Sequence, residues 1–274
     1  MTVGDTQPTR PLPEWTTTSP QPRRRHRAWP WILAAVIVAG LAVAAWFIGE
    51  SIARGIVEKT IRDQIITNLA LPADQQIDVQ IAGPVIPQLI AGTFDDITVS
   101  SQDVPFDQLT GDVTVHATGI AFRGEATAES ATGTVRLTEA QLKALLESVQ
   151  DFPVDSLKLA APDVTASTEL TFLGITVPVG VSLTPSAADG DIVLTPTRLQ
   201  VAGADVSADD LKSRFGGLAD AVIKDYTVCI AQYIPAGMTL TDVSVEGDEV
   251  VADFDVDGRI ASDPALQAPG TCQT

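Results

Sequence analysis

The sequence predicts an α+β fold with a largely antiparallel sheet, preceded by one transmembrane helix. Three observations carry this. Many short segments alternate apolar with polar residues, three longer ones repeat apolar residues at helical spacing, and one uncharged run near the N-terminus is apolar throughout. Regular alternation of strand and helix is absent, which disfavours a doubly wound parallel sheet.

Residues 1–27 hold Pro8, Pro11, Pro13, Pro20 and Pro22, a Thr-Thr-Thr-Ser run and five arginines, with too few apolar residues for a core. We expect a disordered cytoplasmic tail there. Residues 28–49 carry no charge, and about 20 apolar residues suffice to span a hydrocarbon core of roughly 30 Å. Trp29 and Trp31 at one end and Trp46 at the other suit the two interfacial belts. A cleaved signal peptide is the competing reading, but its best cleavage triplet, Ala42-Val43-Ala44, lies inside the apolar run. Arg23, Arg24, Arg25 and Arg27 abut the first turn, whereas Arg54, Lys59 and Arg62 beyond the run alternate with Glu50, Glu58 and Asp63. The positive-inside rule therefore places the N-terminus in the cytoplasm and residues 50–260 outside the membrane.

Past the span, Ile52, Ile56, Val57, Ile61, Ile65, Ile66 and Leu69 mark a helix of about twenty residues ending before Pro72. Strand patterns follow at Ile77-Asp-Val-Gln-Ile81, Ile97 and Val99, and Val113 and Val115. A second helix starts at Thr138, where Thr138 and Gln141 form a capping box, with Leu142, Leu145, Leu146 and Val149 as its apolar side. Beyond Pro153 the predicted strands are Leu170–Phe172, Ile175–Leu183 and Ile192–Leu194, with a turn at Asp189-Gly190. A third helix is capped at Ser207 with Asp210 and carries Leu211, Phe215, Leu218, Val222 and Ile223. A hairpin closes the domain: Met238–Val245, a turn over Glu246–Glu249, then Val250–Val256. Residues 261–274 form a C-terminal tail.

The net charge is −18; taking away the +3 of the first 28 residues leaves −21 on the rest. Such an acidic body excludes nucleic acid, whose binding rests on neutralised phosphates, and a broad basic face for anionic headgroups. Cys229 and Cys272 lack any zinc spacing, so no metal is expected; in an oxidising compartment they pair as a disulfide, and otherwise they remain two buried thiols.

The sequence has no G-x-S-x-G, phosphate loop, G-x-G-x-x-G or H-E-x-x-H, so no catalytic residues are assigned and no enzyme is expected. His116 reads as a solvated or hydrogen-bonded strand histidine, and Asp189-Gly-Asp191 as a fragment of a calcium loop without its remaining ligands. What remains is an aliphatic, aromatic-poor interior, which pattern alone leaves open between a dry core and an acyl-chain cavity.

The run Ile234-Pro235-Ala-Gly237-Met-Thr-Leu240-Thr-Asp-Val243-Ser-Val245, with its turn and following strand to Gly258, resembles the closing pattern of the actinobacterial LmeA-like phospholipid-binding family. Gly92-Thr-Phe94-Asp-Asp-Ile97-Thr-Val99, Leu137-Thr-Glu-Ala-Gln-Leu142 and the helix after an N-terminal membrane segment fit it too. The resemblance spans residues 50–260 and implies a fold like the tubular lipid-binding superfamily, a strongly curved sheet wrapping a long helix. It also implies a cell-envelope phospholipid binder without cofactor, acting as carrier, chaperone or sensor and supporting lipomannan-type glycolipid synthesis. The alternative is a non-enzymatic interaction protein that docks on and stabilises an envelope biosynthetic enzyme.

On that reading the acyl-chain lining falls to Ile56, Ile61, Ile65, Val85, Leu89, Phe122, Phe172, Phe215 and Leu218, each equally readable as core packing. Lys59, Arg62, Arg123 and Arg136 are the cations available to a headgroup phosphate.

Overall fold

The computed structural model describes residues 29–106, 109–146, 154–172, 175–201, 203–208, 210, 213 and 224–272. The chain divides into two compact units, residues 1–47 and 48–274. Of the first unit, the described residues form helix only and are exposed wherever burial is described. The cytoplasmic-tail expectation for residues 1–27 lies outside the described residues.

Helix α1 runs without a break from Trp29 to Asn68, merging the two helices expected on either side of Gly49. It contains a stretch long and apolar enough to cross a membrane, which fits a single-pass anchor. No helix breaker stands at the junction, because Gly49 lies mid-helix and Pro72 is the first proline after it.

Among the described residues the second unit is α+β, with its strands divided between two open six-stranded sheets instead of the single curved sheet expected. The first sheet has the order β1-β2-β3-β4-β12-β11. These strands are Ile77–Ile81, Thr93–Phe106, Leu109–Ala121, Ser130–Thr138, Glu249–Val256 and Met238–Glu246 respectively. The second sheet contains β5 (Lys158–Ala160), β6 (Asp163–Phe172), β7 (Ile175–Ala188), β8 (Asp191–Val201), β9 (Ala204–Ser207) and β10 (Tyr226–Val228). All the recorded pairings are antiparallel. Residues 77–81 alternate buried and exposed as their sequence does, so one face of β1 lies in the core.

Among the described residues, two apolar clusters hold this unit. In one, Ile77, Val79, Ile81, Val85 and Phe94 are buried, and Val57, Ile61, Ile65 and Ile66 of α1 pack on them. In the other, Leu240, Val243 and Phe254 of the closing hairpin meet Ala187 and Ile192, which joins β11 to the second sheet.

Turns and caps follow local chemistry. Asp189 and Gly190 both take positive φ, 53° and 85°, in a two-residue hairpin loop joining β7 to β8, the conformation of a type I′ turn. Helix α3 (Glu139–Leu146) opens on the expected capping box: the Thr138 N–H donates to Gln141 Oε1 at 2.9 Å and the Gln141 N–H to Thr138 Oγ1 at 3.3 Å. Ser207 Oγ accepts from the Asp210 N–H at 3.1 Å, but Leu211, Phe215, Leu218, Val222 and Ile223 of the expected third helix lie outside the described residues.

A seven-residue helix, α2 (Val85–Ala91), was not foreseen. Pro87 conceals it, yet proline in a first turn removes only an amide that no helical carbonyl would have accepted. Strand β4 was also missed, since Ser130-Ala-Thr-Gly133 lacks large apolar residues; its partners β3 and β12 hold it in register.

After β12 the chain turns at Asp257, where Arg259 binds its carboxylate and holds that group at about 2, below the usual carboxylate range. A short helix, α4 (Pro264–Gln267), is capped by Asp263, and Ala268 and Leu266 accept from the Ala236 and Gly237 amides. Cys229 and Cys272 form a disulfide that secures this segment.

Two stability outcomes follow. A Cβ at Gly258 would collide with the carbonyl oxygen of Ala128, whose own N–H donates to the Gly258 carbonyl at 2.9 Å. Gly258→Ala in the 48–274 fragment should cost about 1–3 kcal/mol in urea unfolding, as overpacking against backbone does. Opening the disulfide, whose cysteines stand 43 residues apart, should cost about 4 kcal/mol by loop entropy, read as the difference in urea midpoint with and without reductant.

Candidate functional site

The second unit brings α1, β1 and α2 together through a set of polar contacts around the first apolar cluster. Among the described residues β1 pairs only with β2, which leaves its other edge without a strand partner. The Arg54 guanidinium donates to the Ile81 carbonyl, and Arg62 Nε donates to the Ile77 carbonyl at 2.7 Å. The geometry is commensurate. Eight residues along a helix cover about 12 Å, and four residues along a strand cover about 13 Å. Helix and strand therefore run antiparallel, with an arginine opposite each end of β1, and an edge that would otherwise recruit another strand is covered.

One turn earlier, the Glu50 carboxylate accepts from the Val85 N–H and, at 3.1 Å, from the Ile86 N–H, satisfying free amides at the start of α2. Its side chain is 13 % exposed. The Val85 amide, then the Ile86 amide and Arg54, hold the Glu50 carboxyl below its ordinary value against the opposing effect of burial. Gln88 on α2 is buried and fully used: its amide nitrogen donates to Ala82 and Pro84 carbonyls at 2.7 and 3.0 Å, and its oxygen accepts from the Asp95 N–H at 3.0 Å. Helix α2 ends at Gly92, left-handed at φ 86°, with the Arg123 side chain where a Cβ would stand.

Four of the nine lining candidates meet in this cluster: Ile61 and Ile65 from α1, Val85 and Leu89 from α2. Phe122 stands beside them, its ring 4.8 Å from that of the buried Phe94. Ile56 is exposed on another face of α1. The side chain of Phe172, and Phe215 and Leu218 altogether, lie outside what the structure describes. Sequence reasoning assigned no lining role to Ile77, Val79 and Ile81, although their strict alternation was visible. Gln88 was also passed over; nothing in the sequence announces an amide that must be buried.

The four cations divide. Arg62 and Arg136 line one open cleft of ≈ 1020 Å³, which Asp74, Asp78, Asp103 and Asp112 also line. Arg136 is bound to Glu246 at 3.1 Å. With four aspartates against two engaged arginines, and Gln75, Gln76, Gln102, Ser100 and Ser101 between them, this cleft suits hydroxyl groups better than a bare phosphate. Arg123 donates to the Leu89 carbonyl at 2.7 Å, and Lys59 forms an exposed pair with Asp63 at 3.5 Å. His116 Nδ1 is 3.2 Å from Thr98 Oγ1 across the strand pair.

Glu50→Gln should loosen α2. Because the folded carboxyl titrates below its ordinary value, its stabilising effect is complete above the unfolded value of about 4.3. That effect is lost as the pH falls through the lowered folded value. Hydrogen exchange at Val85 and Ile86, corrected for intrinsic rates, should be faster in Glu50→Gln at neutral pH. The two proteins should converge in acid.

A family model described as LmeA-like phospholipid-binding matches residues 44–255. No curated protein and no solved structure is matched by the chain.

Proposed function

The chain belongs to the LmeA-like phospholipid-binding family, and from that premise we propose that it is a membrane-anchored, extracytoplasmic phospholipid binder of the cell envelope. It works as a carrier, chaperone or sensor, without catalytic chemistry. The observation that carries this reading is that a single helix, α1, includes the apolar span and, from Val57 onward, one wall of an apolar cluster. Lipid held beside Val57, Ile61 and Ile65 would be held on the element that tethers the domain to its source.

Energetics favour such a mode. Each methylene withdrawn from water contributes roughly 0.8 kcal/mol, so acyl chains bind without a basic clamp. An acidic body is then tolerable, because the tether sets the local concentration of lipid. Positive charge on the tail side of the span argues for a cytoplasmic N-terminus.

The cluster is closed by side-chain packing, so acyl chains enter by parting α1 or α2 from β1 and β2. Bulges between Ser101 and Val104 and between Leu240 and Asp242 give the first sheet the means to curve around α1 in the lipid-loaded form. The cleft that Arg62 and Arg136 share is the seat of a hydroxyl-rich head in this reading; Lys59 and Arg123, the other two cations considered, lie outside its lining.

The 48–274 fragment, purified and extracted with organic solvent, should yield phospholipid by mass spectrometry, or take up labelled phospholipid from vesicles. A folded fragment that is empty and refuses the labelled lipid overturns the reading.

A further inference from the structure

Where the second unit begins, charge and apolarity are inverted relative to an ordinary water-facing surface. Glu50 and Arg54 are the first charges after the apolar run, and both are turned into the fold, on the α2 amides and on the β1 edge. Side chains four residues apart share one helix face, and the face away from these charges carries Ile48, Ile52 and Ile56, each 59–62 % exposed. Helix α2 repeats the pattern. Val85 and Gln88 face inward, and Ile90 is 71 % exposed. Ile86 stands 3.8 Å from where a Gly49 side chain would begin, so α2 lies at the level of the last uncharged residue of the run. Phe122 and Arg123 follow at the far end of α2, the latter bonded to Leu89.

We infer that α2 and the Ile48-Ile52-Ile56 face form a foot sunk in the interfacial layer of the bilayer that α1 crosses, with Ile90 among the acyl chains. The occupant is fixed by covalent continuity. Gly49 ends an apolar run long enough to span, and an element packed at Gly49 stands at the headgroup boundary, where apolar faces settle about 5–10 Å deep. Turning Glu50 and Arg54 inward removes the charges that would oppose such insertion. The foot rests on the membrane-anchored reading above and goes beyond it: it sets the first apolar cluster, through Leu89 and the Phe94–Phe122 ring pair, next to the lipid surface, so that an acyl chain reaches it without crossing water.

Because Cys229 and Cys272 are joined, an added cysteine is the single reactive thiol among the described residues. Full-length Ile90→Cys, Val38→Cys and Asn68→Cys chains, each carrying an environment-sensitive NBD fluorophore, would be reconstituted in phosphatidylglycerol and phosphatidylethanolamine vesicles. These would be prepared with and without doxyl-labelled phospholipid. Asn68 is twenty helical residues beyond Ile48, about 30 Å away. The expected result is blue-shifted emission, quenched by the doxyl lipid, at positions 90 and 38, with position 68 unquenched. An unquenched probe at 90 while 38 is quenched overturns the foot, whether the probe reports water or a covering protein; equal quenching at 68 and 90 overturns it too. Lipid in the 48–274 fragment together with an unquenched probe at 90 removes the foot alone and leaves lipid binding standing. An empty fragment with position 90 quenched does the reverse.

Discussion

The second unit depends on one constraint, the need to satisfy the free edge of β1. Arg54 and Arg62 meet that need from α1, and their spacing fixes the direction and height of the helix against the strand. Once helix and strand are locked antiparallel, Val57, Ile61, Ile65 and Ile66 pack on the buried Ile77, Val79, Ile81, Val85 and Phe94, and the apolar cluster follows. Charge-assisted hydrogen bonds of this kind are stronger than neutral ones and more demanding in direction. They specify where an otherwise non-directional apolar contact forms.

The same lock decides the electrostatics. A body with a net charge near −21 has few cations, and the structure spends Arg54, Arg62, Arg123 and Arg136 on carbonyls and carboxylates of its own fold. Glu50 belongs to this economy of charge: its carboxylate satisfies α2 and stands beside Arg54 at 3.6 Å.

The C-terminal segment is organised by the opposite kind of device. There backbone pairing at Ala236 and Gly237, the close approach of Gly258 to Ala128 and the disulfide hold the chain in place. The closing hairpin thus joins both sheets through Leu240 and Val243 on one side and the tied-back tail on the other.

By itself the sequence determined what a few neighbouring residues decide. The apolar run, the α1 stripe, the Thr138–Gln141 cap, the Asp189-Gly190 turn and the hairpin of Met238 to Val256 were all legible, because each rests on hydrogen bonds or periodicity within one element. Ile61, Ile65, Val85 and Leu89 were legible in the same way as apolar residues of one cluster, from an amphipathic stripe and the apolar segment after it. Tertiary structure alone decided that the strands part into two sheets and that small-residue β4 lies between β3 and β12. It alone decided that Arg62 serves Ile77 and Arg136 serves Glu246, since a cation's partner depends on register between segments 15 and 110 residues apart. Such pairings are settled by burial and geometry after the elements meet, and no local pattern carries them.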